Sequence, residues 1–391
     1  MAQTEVTVCG AGITAFNRRT DGSSYRDWAL ASFEDALSMS SLERSDIDAL
    51  IVASESDFFS LQLNPASVLA SDLGLIGAST MRVEGGGASG QLAVHAAVRL
   101  IQSGAVNHAV VVGVDPSASQ LAPQTVKSLY SFSFDAWVDG MTGVSSTALY
   151  ALSFQSFMSQ VAVDDHHLGQ VTRQNRANAM HNPRAHLGRL HSQADIDESP
   201  MIATPYRRLH CSPLSDGAAS IILSAARRRP ASRKSAPSIV GAGAASDTVH
   251  LGARADAGEF AAKRLAMQRA CSEAGIKARQ IDVAEVYDAY AGAQLQAIDA
   301  LGLSEDIPRD LEEGRFSPDG NCPINLSGGL MGQGAPVGAT GVAQTATCAL
   351  LLEGLYETQL QPAELPVYAL ADTHGGICTT AAVTLLAGAA A

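Results

Sequence analysis

Apolar segments and glycine turns recur in the same order at the two ends of the chain. V-C-G-A-G at 8–12 matches I-V-G-A-G at 239–243, and both have the pattern of a buried strand that runs into a turn. Later in each half, a glycine turn opens an almost wholly apolar segment, with G-A-S-G at 87–90 and G-A-T-G at 338–341. Such segments predict helices that are buried on every side.

This repeat predicts two α/β halves. Each half ends in an apolar strand, at 108–114 and at 381–386. Alternating strands and helices imply a mostly parallel sheet. Two all-apolar helices are buried most easily against each other between two sheets, so we expect five layers, α-β-α-β-α, with pseudo-twofold symmetry. A ligand site would then lie at the glycine turns, where the buried helices begin.

The middle of the chain has no counterpart in the second half. We therefore expect an N-terminal half over 1–115, an inserted loop domain with a return to the N-terminal half over 116–235, and a C-terminal half over 236–391. The insert is locally basic, and its arginines are Arg173, Arg176, Arg184 and Arg189. Two interpretations stand: a solvated surface loop, or a loop whose arginines bind phosphate groups of a ligand.

The composition and net charge of the chain argue against several classes of function. With 46% hydrophobic and 17% charged residues in 391, the chain has enough apolar residues for a large interior. A net charge of −13 opposes binding to nucleic acids and to anionic membranes. No apolar run approaches the roughly 20 residues of a membrane span. The six cysteines are scattered and the start lacks a signal-peptide pattern, so we expect a cytoplasmic protein with reduced thiols and no metal site.

Four sequence blocks occur in a fixed order along the chain. They are V-E-G-G-G-A-S-G-Q-L-A-V-H-A-A at 83–97, L-H-C-S-P-L-S-D-G-A-A-S at 209–220, E-V-Y-D-A-Y at 285–290 and N-L-S-G-G-L-M-G-Q-G-A-P-V-G-A-T-G at 325–341. In this order, and at these separations, they resemble the thiolase superfamily across nearly the full chain. Within it, the nearest likeness is to the sterol-carrier-protein-x and lipid-transfer-protein branch. The resemblance implies the thiolase fold, acyl-CoA substrates and a homodimer.

The same resemblance shows that the usual catalytic positions are changed. The family's nucleophilic cysteine falls on Gly87, the histidine of its G-H-P motif on Ala335, and its second cysteine near Thr373. The asparagine or histidine of the third block falls on Tyr287. Glycine cannot form a covalent acyl-thioester, so we do not expect ordinary thiolase activity.

A retro-aldol cleavage of a β-hydroxyacyl-CoA needs no covalent intermediate. It needs a base for the β-hydroxyl proton, donors for the thioester oxygen and an acid for the enolate. Backbone N–H groups near Gly87 and Gly338 are candidates for those donors, and the loss of the cysteine side chain is expected to make room for a bulky group on the β-carbon. The resemblance also implies a precedent. Some lipid-transfer-type members act as aldolases on steroid-type acyl-CoA with tyrosine acids and bases and a small OB-fold partner.

Four residues are candidates for the chemistry. Tyr287 is the first candidate for acid or base, with a core tyrosine as the alternative. His374, in T-H-G-G, is the second because histidine titrates near neutral pH; its alternative is a loop histidine bonded to backbone. Tyr290 stands where the family has phenylalanine, so packing is its alternative. Cys378, in the last glycine turn, is either a displaced nucleophile or a small buried hydrophobe.

Three functions remain open at this point. The leading hypothesis is a carbon–carbon lyase of lipid or steroid side-chain degradation, in which coenzyme A enters only as part of the substrate and no cofactor is covalently bound. The second is an acyl-CoA thiolase or acyltransferase with a relocated nucleophile such as Cys378. The third is a non-catalytic thiolase-fold subunit of a complex.

Overall fold

The computed structural model describes residues 4–389 and 391. Within these residues, the strands are β1 (Val6–Ile13), β2 (Ala49–Ala53), β3 (Ser79–Val83), β4 (His108–Pro116), β5 (Met201–Ala203), β6 (Tyr206–Arg207), β7 (Asp216–Ala225), β8 (Ser238–Ser246), β9 (Val283–Glu285), β10 (Tyr368–Gly375) and β11 (Thr380–Ala387). The helices in the same residues are α1 (Tyr25–Ser40), α2 (Asp57–Ser60), α3 (Pro65–Asp72), α4 (Ser89–Gln102), α5 (Pro123–Tyr130), α6 (Ser146–Met158), α7 (Asp165–Ala179), α8 (Gln193–Glu198), α9 (Ala261–Ala274), α10 (Ala291–Ala300), α11 (Ile307–Glu312), α12 (Gly329–Gly332) and α13 (Val337–Glu353). In this described part of the chain, no helix has the length and apolar character needed to cross a membrane.

Nine strands form one continuous hydrogen-bonded arrangement in the order β3-β2-β4-β7-β1-β8-β11-β10-β9. We call β3-β2-β4-β7-β1 the first sheet and β8-β11-β10-β9 the second sheet. The two sheets meet where β1 pairs with β8, and that pairing is limited to Val6 with Ile239 and Thr7 with Ser238. The repeated glycine motifs thus lie on two neighbouring strands, as the duplication predicts.

The expectation of a mostly parallel sheet is wrong. β2 is parallel to β3 and β4, and β9 is parallel to β10. However, β7 runs antiparallel to both β1 and β4, and β11 runs antiparallel to both β8 and β10. The reason is that β10 and β11 are joined by a tight turn without a helix, and that β7 returns to the first sheet after the long insert.

The five-layer prediction is confirmed. Helices α4 and α13 lie between the two sheets, in a buried cluster that draws on β1, β2, β4 and β7 from one side and β10 from the other. Helices α1 and α3 cover the outer face of the first sheet. Helices α9 and α10 cover the outer face of the second sheet.

The two central helices cross backbone to backbone. A Cβ atom on Gly90 would lie 2.7 Å from Gly341 Cα, and one on Gly341 would lie 2.6 Å from Gln91 N. Gln91 Nε2 then donates to Gly341 O at 2.9 Å and to Thr345 Oγ1 at 3.0 Å. This close crossing holds the starts of both helices in one region of the molecule.

The arginines of the insert serve the fold where they are buried. Arg176 is only 4% exposed, and its Nη2 donates to Leu209 O and Cys211 O, both at 3.3 Å. Arg184 Nε donates to Ile13 O at 2.9 Å. Arg176 therefore matches neither the solvated-loop interpretation nor a phosphate-binding role, whereas Arg184 is half-buried and pairs with Glu357. The division of the chain at 115 and 235 stays a prediction.

We expect Gly341→Ala to lower the free energy of unfolding by about 1–3 kcal/mol or more, because its methyl group meets only backbone atoms. That loss exceeds the gain of about 1 kcal/mol in helix propensity that alanine brings over glycine. Chemical denaturation of the variant and the parent measures the difference. Gly140→Ala is the control, because its Cβ would meet nothing closer than 3.7 Å. Equal stabilities of the Gly341→Ala variant and the parent would contradict the proposed crossing.

Candidate functional site

The Tyr287 hydroxyl occupies the volume that a side chain at position 87 would fill. Gly87 lies in a short turn, Gly86–Ala88, directly before α4. A Cβ atom on Gly87 would lie 2.4 Å from Tyr287 Oη and 2.3 Å from His374 O. Glycine at this position therefore does not open space for a bulky substrate group. That expectation is wrong, because the Tyr287 hydroxyl occupies the space.

Tyr287 is held beside the central helices by its backbone. It follows β9, and its N–H donates to Asp372 Oδ2 at 3.2 Å. The side chain is 6% exposed, and its ring centroid lies 4.6 Å from that of His374. Burial, and next the charge of Glu55, raise the pKa of Tyr287 far above its usual value. The phenol therefore keeps its proton at neutral pH.

A buried ion pair fixes the strand that faces Tyr287. Lys263 on α9 and Asp372 on β10 are both fully buried, and Lys263 Nζ donates to Asp372 Oδ2. The same oxygen accepts the Tyr287 N–H. Removing one partner of such a pair leaves an unpaired buried charge, which is strongly destabilising. The pair therefore ties α9, β10 and Tyr287 together.

His374 is neutral, and its tautomer follows from its partner. Its Nε2 lies 2.8 Å from Tyr150 Oη, and Tyr150 donates its hydroxyl proton to Gly376 O at 2.6 Å. Because the phenol has one proton, His374 Nε2 must be the donor in the first contact, and Nδ1 carries the lone pair. Nδ1 is buried without a partner in the described residues. Burial lowers the pKa of His374 far below its usual value, so the expected titration near neutral pH is wrong.

Tyr290 belongs to an aromatic wall. Its hydroxyl lies 2.9 Å from Thr147 Oγ1, and its ring stacks on Tyr206 with centroids 5.2 Å apart. The Tyr150 ring is also close, at 4.6 Å between centroids. Burial raises the pKa of Tyr290 to about 12. Its hydroxyl is thus already bonded, and the arrangement fits the packing alternative.

The other predicted lining positions divide into two groups. Ala335 packs in a small buried cluster with Tyr287 and Leu330 and so lines the site. Gly338 does not offer its N–H to a ligand, because that group donates to Asp115 Oδ2 at 2.5 Å; the expectation of an oxyanion donor there is wrong. Thr373 is fully buried on β10, where strand alternation points its side chain away from the face that carries His374.

Cys378 is sealed in the turn between β10 and β11. It has a positive φ of 56° and no exposed surface. Burial raises the pKa of its thiol to about 12. Since the thiolate is the nucleophile, this cysteine is poorly suited to attack a thioester.

A second polar cluster was not anticipated from the sequence. Glu55 and Ser117 follow the adjacent parallel strands β2 and β4, and Tyr130 ends α5. Asp115 Oδ2 accepts the N–H of Glu55 at 3.1 Å as well as that of Gly338. These residues lie in no recognised motif. The only signal for them was the position of acidic and hydroxyl side chains just after buried strands.

The chain is similar to thiolase proteins in three ways. Residues 243–388 match the family described as thiolase C-terminal domain-like. The chain is 31% identical over 385 residues to the acetyl-CoA acetyltransferase of Methanothermobacter thermautotrophicus, covering 97% of this chain and 98% of that protein. It is 24% identical to sterol carrier protein 2 of Gallus gallus, over 90% of this chain and 66% of that protein.

Solved structures show the same fold. The Ltp2-ChsH2(DUF35) aldolase aligns with a TM-score of 0.83 at 21% identity, and the alignment covers 99% of this chain and 98% of the matched chain.

We expect Gly87→Ala to lower the free energy of unfolding by about 1–3 kcal/mol, because its methyl group overlaps the Tyr287 hydroxyl. Tyr287→Asn removes the phenol, so part of that loss should disappear in the double variant. A double-mutant cycle by chemical denaturation should give a coupling energy of about 0.5–3 kcal/mol. The matched control pairs Gly140→Ala with Tyr287→Asn and should be additive. Additive energies in the Gly87 cycle as well would show that the phenol does not occupy the thiol's place.

Proposed function

The chain belongs to the thiolase superfamily, and we propose that it is a carbon–carbon lyase that cleaves a β-hydroxyacyl-CoA by a retro-aldol reaction, without an acyl-enzyme. The observation that carries this proposal is the Tyr287 hydroxyl, which lies where the side chain of a nucleophile at position 87 would lie. A proton donor thus replaces a sulfur nucleophile. The chemistry that suits such a site is proton transfer to an enolate.

The reaction needs two proton transfers from the protein, together with donors for the thioester oxygen. A base removes the β-hydroxyl proton, the bond between Cα and Cβ breaks, and Cβ becomes a carbonyl carbon. The electron pair of that bond forms the thioester enolate, and Tyr287 protonates Cα. Coenzyme A leaves as the thioester of the shortened acyl chain, so it enters only as part of the substrate.

Similarity to known proteins supports the substrate class. An acyl-CoA substrate agrees with the acetyl-CoA acetyltransferase relative, and an aldolase reaction agrees with the aldolase of similar fold. The name of that aldolase joins Ltp2 with ChsH2(DUF35), which supports a partner protein. We keep in the proposal the small OB-fold partner that the family resemblance implies. The sterol carrier protein relative makes lipid or steroid side chains reasonable acyl groups to test first. A homodimer and a cytoplasmic location remain part of the same proposal.

Tyr287→Phe should lower kcat for cleavage of a tertiary β-hydroxyacyl-CoA by about 10²- to 10⁴-fold, the range of a general acid's contribution. The fold should hold, because the backbone bond from Tyr287 to Asp372 does not involve the hydroxyl. Release of the ketone and of the shortened acyl-CoA is followed by chromatography.

Tyr368→Phe is the matched control, because Tyr368 starts β10 and lies only half-buried. It should keep the parent's rate. Unchanged turnover in Tyr287→Phe would remove Tyr287 from the mechanism.

A second function is favoured by one observation. The relative that matches 97% of this chain at 31% identity is an acetyl-CoA acetyltransferase, which suggests acyl transfer through a relocated cysteine. Cys378 is the candidate, since it lies in the turn that follows His374. Its burial and raised pKa weigh against this function.

We expect iodoacetamide to leave Cys378 unlabelled in the folded protein, because the thiol is buried and protonated. Exposure to acyl-CoA, followed by peptide mass spectrometry, should show no acyl group on it. The half-buried Cys271 is the internal comparison and should label first. An acyl adduct on Cys378 that is absent from a Cys378→Ala variant would replace the lyase proposal with acyl transfer.

A further inference from the structure

A group of unsatisfied polar atoms lies at the carboxyl ends of two neighbouring strands. Glu55 follows β2, which ends at Ala53, and Ser117 follows β4, which ends at Pro116. β2 and β4 pair in parallel, so both chain segments leave the sheet at the same edge. In open α/β sheets, ligands bind outside this edge.

Three side-chain atoms in this group are buried and have no partner in the described residues. They are Glu55 Oε2, Ser117 Oγ and Tyr130 Oη. Glu55 as a residue is half-buried, but its Oε2 atom is fully covered. Buried polar atoms nearly always have a hydrogen-bond partner, so three such atoms side by side indicate a place for a polar ligand group. Tyr130 adjoins both of the others: its hydroxyl lies close enough to Glu55 to lower the pKa of that carboxyl, and the Ser117 hydroxyl acts on the pKa of Tyr130 in the same way against the larger effect of burial. Neither contact has the geometry of a hydrogen bond, so a polar ligand group can complete the set.

The Asp115 carboxylate links the backbone of Glu55 to the start of α13 by hydrogen bonds. Asp115 Oδ2 accepts the Glu55 N–H at 3.1 Å and the Gly338 N–H at 2.5 Å. Ser54 Oγ donates to the other oxygen of Asp115 at 3.3 Å. Glu55 is therefore fixed relative to α13, which is itself fixed against α4 and the Gly87 turn.

The chain segment that leads into Glu55 packs against the Gly338 turn, where a Cβ atom on Gly338 would lie 2.8 Å from Ala53 O and 2.9 Å from Ser54 Cα. After burial, the Glu55 charge is the largest cause of the raised pKa of Tyr287. Tyr287 keeps its proton, and the pKa of His374 lies far below its usual value. Its unpartnered Nδ1 is therefore a weak proton acceptor. A retro-aldol reaction also needs a proton acceptor.

We propose that Glu55 is the general base of the retro-aldol reaction, and that the β-hydroxyl group of the acyl-CoA binds among Glu55, Ser117 and Tyr130. This inference rests on the function proposed above and adds a catalytic residue to it. The Glu55 carboxylate takes the hydroxyl proton while the bond between Cα and Cβ breaks and the carbonyl forms at Cβ. Tyr287 gives its proton to Cα. Return of the proton from Glu55 to the Tyr287 phenolate resets the site, so the net change is transfer of the hydroxyl proton to Cα.

The ionisation of Glu55 sets the pH dependence. The groups that act on it are Asp115 on β4, Glu84 after β3 and Tyr130 on α5. Burial, then Asp115, then Glu84, raise the pKa of Glu55 well above its usual value, while Tyr130 lowers it. The base form is the carboxylate, so kcat/KM should rise as the pH increases through this raised pKa.

The test replaces Glu55 with its neutral isostere. In Glu55→Gln, kcat for a tertiary β-hydroxyacyl-CoA should fall by about 10²- to 10⁴-fold, while KM and the melting temperature stay near those of the parent. The rise of kcat/KM with pH should be absent from the residual activity. Glu313→Gln is the matched control, because Glu313 is exposed beside α11, and it should behave as the parent.

The outcomes separate the two proposals. A parent protein that does not cleave any β-hydroxyacyl-CoA overturns the lyase function itself. A parent that cleaves, with a Glu55→Gln variant of equal rate and equal pH profile, overturns only the role of Glu55. If Glu55→Gln does not fold, Glu55→Asp decides the matter. It keeps a carboxylate, so a reduced rate that still rises with pH supports the assignment, whereas a rate without that rise overturns it.

Discussion

The backbone contact between α4 and α13 at Gly90 and Gly341 is the constraint on which the site depends. Any side chain at either glycine would meet backbone atoms at 2.6–2.8 Å, so the two helices can approach this closely only with glycine at both positions. Gly87 and Gly338 each precede their crossing glycine by three residues. The crossing therefore places the two glycine turns close to each other between the sheets. The Tyr287 phenol and the Asp115 carboxylate both reach these turns, although they come from opposite halves of the chain.

The second constraint is steric and concerns position 87 and Tyr287. In this chain, a side chain at position 87 and the Tyr287 hydroxyl compete for one volume, and the backbone carbonyl of His374 closes it from a further side. A cysteine at position 87 would thus clash with its surroundings as this chain is packed. The substitution at 87 and the tyrosine at 287 form one structural change. That change leaves a protonated phenol in place of a side chain that could form a covalent bond.

The duplication was enough to predict the layers, because periodic apolar patterns report burial directly. The grouping of Gly87, Tyr287 and Ala335 at one site came instead from the four blocks, as what the resemblance to thiolases implies. Other features depend on contacts that sequence patterns do not encode. The antiparallel strands β7 and β11 follow from return of the chain after the insert and from a tight turn. The loss of Gly338 N–H as a donor follows from one carboxylate, Asp115, that reaches it from β4. Glu55 carries no motif, and only its orphaned oxygen marks it.

The low-dielectric interior determines which of the buried side chains at the site keep their protons. A buried phenol ionises readily only beside an unpaired positive charge, and the buried cation near Tyr287, Lys263, is neutralised by Asp372. Tyr287 therefore holds its proton, and His374 stays neutral for the same reason of burial. A carboxylate such as Glu55 favours loss of a proton from an alcohol but opposes a nearby enolate anion. Negative charge on the substrate is consequently costly here, so donation of the Tyr287 proton must keep pace with cleavage of the carbon–carbon bond. Because a thioester enolate is a far stronger base than a phenolate, the protonated Tyr287 meets that requirement in the mechanism we propose, even with its raised pKa.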